Sequence, residues 1–451
     1  MLEIQGRSVR LCDGISRRSF LKVGSLGLAG LSLPQFLRAA ENQADSTRRN
    51  RAVILYWMAG GPSHIDTYDM KPNAPEQVRG AFRPTATRVP GMQFCELFTR
   101  QAPIADKISL VRSLTHTNFD HFDAAHLVQT GYHELRVMGR GQPYPAQGSA
   151  VSMLRGPNQA GMLPYVCIPE AWSSARGFYQ HAAFLGAAYN PLSSGGSALS
   201  ERYHINRPEL VLGPNMTVQR VEDRRELQRR IQNAARTLDG NGTVQAMDRY
   251  YQRAFDLVTS PRVQAAFDVS REPMALQERY GRHAWGQAAL LARRLVEAGV
   301  TFVTINHFEA ETDWWDDHYN IETNLRRRLP VYDQALGTLI EDLHQRGLAD
   351  DVLVVAFGEF GRSPVIDREA GRGHWARAWH ALLSGGGVQG GRVVGATTSN
   401  GGEPRDRAVG PGDLLATIYH SLGIDPETTV NDRQNRPIRL VERGQPIREL
   451  F

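Results

Sequence analysis

The sequence predicts an α/β protein with a mostly parallel central sheet and helices on both faces of that sheet. Val-, Ile- and Leu-rich runs predict strands buried on both sides, at AVILYWM (52–58), TFVTINHF (301–308) and DVLVVAFGEF (351–360), with a weaker run at ISLVRSL (108–114). Helical patterns lie between these runs. Strands that alternate with helices form parallel sheets covered on both faces.

Two of these strands follow predicted helices directly. Residues 287–299 (QAALLARRLVEAG) precede the strand at 301, and residues 321–347 precede the strand at 351. Gly347 is expected to end the second helix, because glycine is the usual residue just past a helix. Pro330 is expected near the start of that helix or at a kink in it.

The first 44 residues are predicted to be an export signal that is not part of the fold. SRRSFLK (16–22) places a twin-arginine pair ahead of a Gly- and Ala-rich, modestly hydrophobic stretch that ends near Ala39 and Ala40. This order is typical of a twin-arginine signal peptide, and the alternative is a basic amphipathic helix of the mature protein. We therefore expect the twin-arginine export machinery as a partner, and a periplasmic or extracellular location.

Residues 45–451 are predicted to form one domain, with a helical and loop-rich insertion at about 170–285. Of the 451 residues, 41% are hydrophobic, which is enough for a sizeable core. No run of eighteen apolar residues occurs after the signal, so no stable membrane insertion is expected. The net charge of +5 is mild, and we expect no nucleic-acid partner. Cys95 and Cys167 lie in apolar settings and are expected to be buried free thiols.

Histidines and acids follow the end of every predicted strand. In open α/β sheets, ligands bind outside the carboxyl ends of the strands, so these side chains are expected to converge at one edge. Histidine with carboxylate suits divalent metal ions. The candidate residues are His64, Asp66, Asp120, His121, Asp316, His318, Glu359 and His374.

Each of these residues also has a simpler interpretation. An aspartate after a strand is commonly the N-cap of a helix or part of a turn. A single histidine is commonly a hydrogen-bonded loop residue. The joint pattern over four strand ends is what favours a metal site. Trp314 and Trp315 are expected either to line a sugar site or to pack in the core.

Several motifs resemble the exported family named after domain of unknown function 1501, over about residues 50–450. They are GGPSHIDTYDMKP, DHFDAAHLVQTGY, WDDHYN, GEFGRSP, GRGHW and GGGVQGGRVVGATT. That family is labelled sulfatase-like and is placed near the alkaline-phosphatase superfamily. The resemblance implies an alkaline-phosphatase-like fold with one or two divalent metal ions at the carboxyl edge of the sheet. Zinc, manganese, calcium and magnesium are not distinguished.

The resemblance also implies two sets of metal ligands. Asp316, His318 and His374 resemble one set, with a shorter spacing from Asp316 to His318 than the superfamily has. The second set would include His64, Asp66 and Glu359. Phe360 stands where that set would have a histidine.

The nucleophile of the superfamily has no counterpart here. Its position, counted back from the Thr-Gly at 130–131, falls near His121, and no Ser, Thr or Cys lies between 118 and 129. Neither a formylglycine sulfatase nor an ordinary alkoxide phosphatase is supported. Metal-activated water is the expected nucleophile. His121 or Asp120 would bind metal or act as the base, and Arg362 would face the substrate oxyanion.

The sequence therefore predicts an exported, metal-dependent hydrolase of sulfate or phosphate esters. Its substrate would be a small molecule or a polysaccharide ester. The alternative is a non-catalytic protein of the same fold that binds carbohydrate, anions or a protein partner.

Overall fold

The computed structural model describes residues 50–133, 143–171, 173–174, 177–195, 260–306 and 315–451, with a few positions between 217 and 227. The predicted signal peptide, Trp314 and the centre of the predicted insertion lie outside the described residues. No helix in the described part of the chain combines the length and the apolar character needed to cross a membrane.

An eight-stranded sheet forms the centre of the described part of the chain. Its strands are β1 (Ala52–Trp57), β2 (Ser109–Leu114), β3 (Tyr165–Ile168), β4 (Leu192–Ser193), β5 (Phe302–Asn306), β6 (Val352–Phe357), β7 (Trp379–Gly385) and β8 (Val393–Val394). They are arranged in the order β8-β2-β7-β6-β1-β5-β3-β4. The strand β7 pairs antiparallel with both of its neighbours, and the remaining pairs are parallel. The predicted mostly parallel sheet is confirmed.

The four predicted strands correspond to β1, β2, β5 and β6. The centre of the sheet is the β6-β1-β5 trio, in which Val53 pairs with Leu353 on one side and with Phe302 on the other. Every residue of these three strands is buried, as their unbroken hydrophobic runs predicted. The sequence analysis did not identify β3 or β7.

Helices cover both faces of the sheet. Successive residues of β1 enter opposite cores, Ile54 and Tyr56 on one side and Val53 and Leu55 on the other, because side chains alternate along a strand. The helices are α1 (His121–Thr130), α2 (Gln147–Leu154), α3 (Pro261–Phe267), α4 (Met274–Tyr280), α5 (Ala284–Ala298), α6 (Ile321–Gln345) and α7 (Pro411–Ser421). The first core is covered by α3 to α6 and the second by α1, α2 and α7.

Short elements complete the described chain. A one-turn helix spans Glu76–Arg79, and 3₁₀ turns span Ala102–Lys107, Ala183–Leu185, Ala187–Tyr189, Val269–Arg271 and Arg448–Leu450. Two-stranded ribbons pair Pro84–Ala86 with Gln93–Cys95, Ser173–Ser174 with Gly177–Phe178, Gly361–Arg362 with His374–Trp375, Ala396–Thr397 with Pro404–Asp406, and Thr429–Asn431 with Pro437–Arg439.

The two predicted helices are α5 and α6. Helix α6 ends at Gln345, two residues before the predicted stop at Gly347, and Pro330 lies inside this helix rather than near its start. The described ends of the predicted insertion join the main fold: β4 extends the sheet, and Val263 and Phe267 of α3 lie in the core beneath α5. The insertion itself stays a prediction.

Trp315 is a core residue, with 1% of its surface exposed. Its ring packs edge-on against Tyr332, and the guanidinium of Arg328 lies 4.9 Å from its centre. It therefore does not line a sugar site. Cys95 and Cys167 are buried free thiols, as predicted.

Candidate functional site

The loops that follow four parallel strands meet at one edge of the sheet. His121 begins α1 after β2, while Asp316 and His318 lie between β5 and α6. Glu359 follows β6, and His374 lies in the ribbon that comes next in the chain. The edge is the carboxyl edge, where parallel α/β sheets bind their ligands.

Three donor atoms converge at this edge. The Nε2 atoms of His318 and His374 lie 2.9 Å apart, and each lies 3.1 Å from Oδ1 of Asp316. His374 Nδ1 donates a hydrogen bond to the carbonyl oxygen of Phe119 at 2.7 Å, which leaves the Nε2 lone pair free to bind a cation. Burial lowers the pKa of His318, which favours its neutral, ligating form.

These atoms fit a divalent cation. Because Nδ1–H of His374 is used on Phe119 O, its Nε2 can accept a hydrogen bond from Nε2 of His318, and a divalent cation between the two rings would replace that hydrogen bond. Zinc holds nitrogen ligands at about 2.0 Å, so two tetrahedral ligands stand about 3.3 Å apart, close to the observed separations. We name Asp316, His318 and His374 the metal cluster.

His121 contacts the second oxygen of the Asp316 carboxylate. Its Nε2 lies 3.1 Å from Oδ2 of Asp316, and its Nδ1 donates to Oε1 of Glu359 at 2.6 Å. Burial opposes the charged imidazole, but the two carboxylates outweigh it and raise the pKa of His121 to about 9. Within the described residues, one donor atom each from His121, Asp316 and His374 lies within 4.8 Å of the others.

Glu359 is fully buried and orients His121. Its Oε1 also accepts a hydrogen bond from the backbone N–H of Gly60 at 2.8 Å. Its carbonyl oxygen accepts from Nε2 of His116 at 2.7 Å, and burial lowers the pKa of His116 to about 4, so that ring is neutral. The loop after β1 therefore fixes the carboxylate of Glu359, and the loop before α1 fixes its backbone.

Arg362 does not face the space where a substrate would bind. Its side chain is fully buried, Nε donates to Gly61 O at 2.9 Å, and Nη2 contacts both Gly60 O and Oδ1 of Asp316. Burial alone would raise the pKa of Asp316, but the hydrogen bond from His121 and the charge of Arg362 hold it far below its usual range. His121 and Arg362 together thus keep Asp316 ionised and in place.

His64 and Asp66 are not brought into the metal cluster. His64 is buried and its Nε2 donates to the carbonyl oxygen of Gly401 at 2.8 Å. Asp66 pairs with Arg372, with 2.8 Å between Oδ2 and Nε. The loop after β1 instead contributes backbone groups, through Gly60 and Gly61.

Asp120 is the N-cap of α1. Its Oδ1 accepts hydrogen bonds from the backbone N–H groups of Phe122 and Asp123, at 3.0 and 3.3 Å. This is the capping interpretation that the sequence had left open. The cap fixes the first turn of the helix, and with it His121.

Close backbone packing, which the sequence analysis missed, builds the cluster. A Cβ on Gly60, at φ +105°, would lie 2.6 Å from the backbone nitrogen of Asp316, and a Cβ on Gly371 would lie 1.8 Å from the carbonyl oxygen of His318. Both glycines therefore allow their loops to lie against the segment that carries Asp316 and His318. Arg372, between Gly371 and Gly373 in the quoted GRGHW motif, was also missed.

Aromatic side chains border the cluster. Phe119, whose carbonyl oxygen orients His374, is 38% exposed and packs edge-on against Trp375 at 6.0 Å. Tyr319 follows His318 directly and is 56% exposed. These rings give the rim of the site an apolar, partly exposed surface.

Comparison with known proteins gives a family match and remote structural likenesses. The family described as "Protein of unknown function (DUF1501)" matches residues 50–451. Among curated proteins, none is a significant sequence match.

Among solved structures, the PsFucS1 sulfatase from Pseudoalteromonas sp. is 10% identical with a TM-score of 0.39, over 85% of this chain and 70% of that one. The lipoteichoic acid synthase LtaP from Listeria monocytogenes is 9% identical with a TM-score of 0.33, over 88% and 75%. The phosphonate monoester hydrolase SpPMH from Silicibacter pomeroyi is 13% identical with a TM-score of 0.30, over 76% and 70%. Likenesses of this size carry no information about activity.

Proposed function

The chain belongs to the DUF1501 family of proteins of unknown function, and on this premise we propose that it is an exported, metal-dependent hydrolase of sulfate or phosphate esters. The observation that carries the proposal is the convergence of Asp316, His318 and His374 at the carboxyl edge of the sheet. Costly polar groups collected at one edge favour a working site over a purely structural role.

The metal cluster would hold the cation, through Nε2 of His318 and His374 and Oδ1 of Asp316. A divalent cation held there supplies Lewis-acid chemistry, which polarises an ester and favours water as the nucleophile. Phe119 O fixes the ring of His374, and Arg362 keeps Asp316 ionised. Fixed orientation of the ligands is what gives such sites their affinity.

His121 is the proposed acid–base group. Its Nδ1–H is held by Glu359, and its Nε2 borders the metal cluster with 17% of the side chain exposed. Because it is held between the carboxylates of Glu359 and Asp316, His121 is suited to carry a proton and to donate it to a leaving oxygen. Asp120 serves this step only by capping the helix that begins with His121.

Water is the proposed nucleophile because α1 begins without a hydroxyl or thiol. Its sequence is HFDAAHLVQT, and Thr130, its only hydroxyl residue, lies at the far end and donates to His126 O at 2.7 Å. The proposed substrates are esters of small molecules or polysaccharides, with the aromatic rim formed by Phe119 and Tyr319 against the organic part.

The test combines metal content with turnover on the full chain, purified folded from a host that exports it. Mass spectrometry would count divalent ions, and 4-nitrophenyl sulfate and 4-nitrophenyl phosphate would report hydrolysis. We expect His318→Ala and His374→Ala to lose both metal and turnover, and His420→Ala, an exposed histidine of α7, to retain both. A folded wild type that binds no divalent ion would refute the proposal.

Carbohydrate binding without turnover is the second candidate function. It is favoured by the burial of Arg362 and by the exposed rings of Phe119 and Tyr319, since aromatic faces stack on sugars. Saturable binding of an anionic oligosaccharide, lost in Phe119→Ala and unaccompanied by hydrolysis of any ester tested, would select this function. Export through the twin-arginine route belongs to both proposals.

A further inference from the structure

We infer that the chain holds a single divalent cation, and that the guanidinium of Arg372 takes the place of a second cation beside Asp66. The inference rests on the proposed function, because it concerns the same edge of the sheet. The family resemblance implies a second ligand set that contains His64, Asp66 and Glu359. In the structure the donor atoms of this set are mostly bound to other groups.

Both oxygens of Asp66 are occupied by protein donors. Arg372 Nε donates to Oδ2 at 2.8 Å and Arg372 Nη2 donates to Oδ1 at 3.2 Å. The hydroxyl of Ser63 adds a hydrogen bond to Oδ2 at 2.5 Å. The side chains of Arg372 and Asp66 are 0% and 2% exposed. A forked guanidinium–carboxylate pair is among the strongest in proteins, and the arginine stays protonated at all relevant pH values.

Arg372 cannot swing away to admit a cation. Its Nη1 donates to the carbonyl oxygens of Ser363 and Pro364, and its Nη2 donates to that of Val78 as well as to Asp66. With Nε on Asp66, all five N–H groups of the guanidinium are used. Gly80 closes the pocket, since a Cβ there would lie 2.8 Å from Oδ1 of Asp66 and 3.3 Å from Nη2 of Arg372.

The other members of the set offer too few free atoms. His64 uses Nε2 on Gly401 O, and Glu359 uses Oε1 on Gly60 N and His121. Of the side-chain donor atoms of His64, Asp66 and Glu359, those left without a hydrogen-bond partner among the described residues are His64 Nδ1 and Glu359 Oε2. Zinc sites use three or four protein ligands, so these two atoms do not make a second zinc site.

With a single cation, a group other than a second metal ion has to stabilise the leaving oxygen. In two-metal sites the ions stabilise both the attacking and the leaving oxygen of a displacement. Here the charge of Arg372 is buried and paired with Asp66, so it cannot reach a substrate. The leaving oxygen therefore needs a protein donor, and His121, which lies between Asp316 and Glu359, is in position for that role.

Metal stoichiometry tests the inference without any assay of activity. The full chain would be equilibrated with excess Zn²⁺ or Mn²⁺, freed of unbound ion by gel filtration, and analysed by mass spectrometry. We expect one ion per chain in the wild type, one in Asp66→Asn, and none in Asp316→Asn. Two ions in the wild type, falling to one in Asp66→Asn, would overturn the inference and leave the proposed function standing.

A folded wild type with no ion would instead refute the proposed function itself, so the two failures are distinguishable. Asp66→Asn leaves Arg372 without its carboxylate and has to be checked by circular dichroism. His64→Gln serves as the second variant, because its amide can still donate to Gly401 O. One ion in His64→Gln supports the inference, whereas two ions in the wild type and one in this variant contradict it.

Discussion

Nε2 of His121 lies 3.1 Å from Oδ2 of Asp316, and the Nε2 atoms of His318 and His374 each lie 3.1 Å from Oδ1 of the same carboxylate. One carboxylate thus joins the proposed acid–base histidine to the proposed metal ligands. In the proposed function, Oδ1 binds the cation and Oδ2 holds the histidine that carries the proton.

The charge on His121 predicts a pH-dependent stability for the protein kept free of metal by a chelator. The pKa of His121 is raised from 6.5 to about 9 in the folded state, so its stabilising contribution is complete below pH 6.5 and is lost as the pH rises through 9. Each pKa unit corresponds to about 1.4 kcal/mol, so about 3 kcal/mol is lost over this interval.

Thermal or urea unfolding of the wild type and of His121→Gln, measured from pH 6 to pH 10, checks this prediction. The difference in unfolding free energy between them should shrink as the pH rises. His420→Gln, which changes a histidine of α7 outside the site, should track the wild type throughout. A constant difference between the wild type and His121→Gln would contradict the assigned pKa.

A buried ion pair supports the segment that carries Asp316 and His318. Asp317 accepts from Nη1 and Nη2 of Arg328, at 2.8 and 3.2 Å, and both side chains are 1% exposed. Removing one partner leaves a buried charge uncompensated, so Asp317→Asn is expected to destabilise the fold by about 3–5 kcal/mol.

Urea unfolding measures this loss, and the same helix supplies the control. Arg326 and Glu322 form an exposed pair in α6, with side chains 49% and 52% exposed. Glu322→Gln should change the unfolding free energy by less than about 1 kcal/mol, because exposed pairs contribute little. Equal effects of the two substitutions would show that burial of the Asp317–Arg328 pair does not matter.

Gly60 should be intolerant of a side chain for two separable reasons. The left-handed backbone costs an L-residue about 1–2 kcal/mol, and a Cβ at Gly60 would also collide with the backbone nitrogens of Trp315 and Asp316, at 2.7 and 2.6 Å. Displacing Asp316 should weaken metal binding by about 10-fold to 100-fold, the usual effect of disturbing the support of a ligand.

The variant Gly91→Ala tests the cost of the left-handed backbone without a steric collision. Gly91 has φ +80°, and a Cβ there meets nothing within 4 Å, so only the backbone term applies. Calorimetric titration with Zn²⁺ should give wild-type affinity for Gly91→Ala and weakened affinity for Gly60→Ala. Wild-type affinity for Zn²⁺ in both variants would show that the loop after β1 does not affect metal binding.

The strands and their common edge were predictable from the sequence. Uninterrupted hydrophobic runs such as AVILYWM (52–58) have few alternatives to a strand buried on both sides, and the helical patterns between them require parallel connections. Parallel strands then place the residues that follow them at one edge, which made Asp316, His318 and His374 candidates, and the family resemblance grouped them as one ligand set. The antiparallel β7 was missed because the run WHALLSG carries polar and small residues and gives no sign of its direction.

The partner of each charged group was decided only by the tertiary structure. Asp66 and Asp316 look alike in sequence, since both are acids in a loop that follows a strand. Asp66 is enclosed by Arg372, 306 residues away, whereas Asp316 contacts three histidines as well as Arg362. Hydrophobic periodicity is a local property that a window of sequence contains. The pairing of a buried charge depends on which arginine the packed loops bring within 3 Å of it. A local sequence pattern contains no information about that distance.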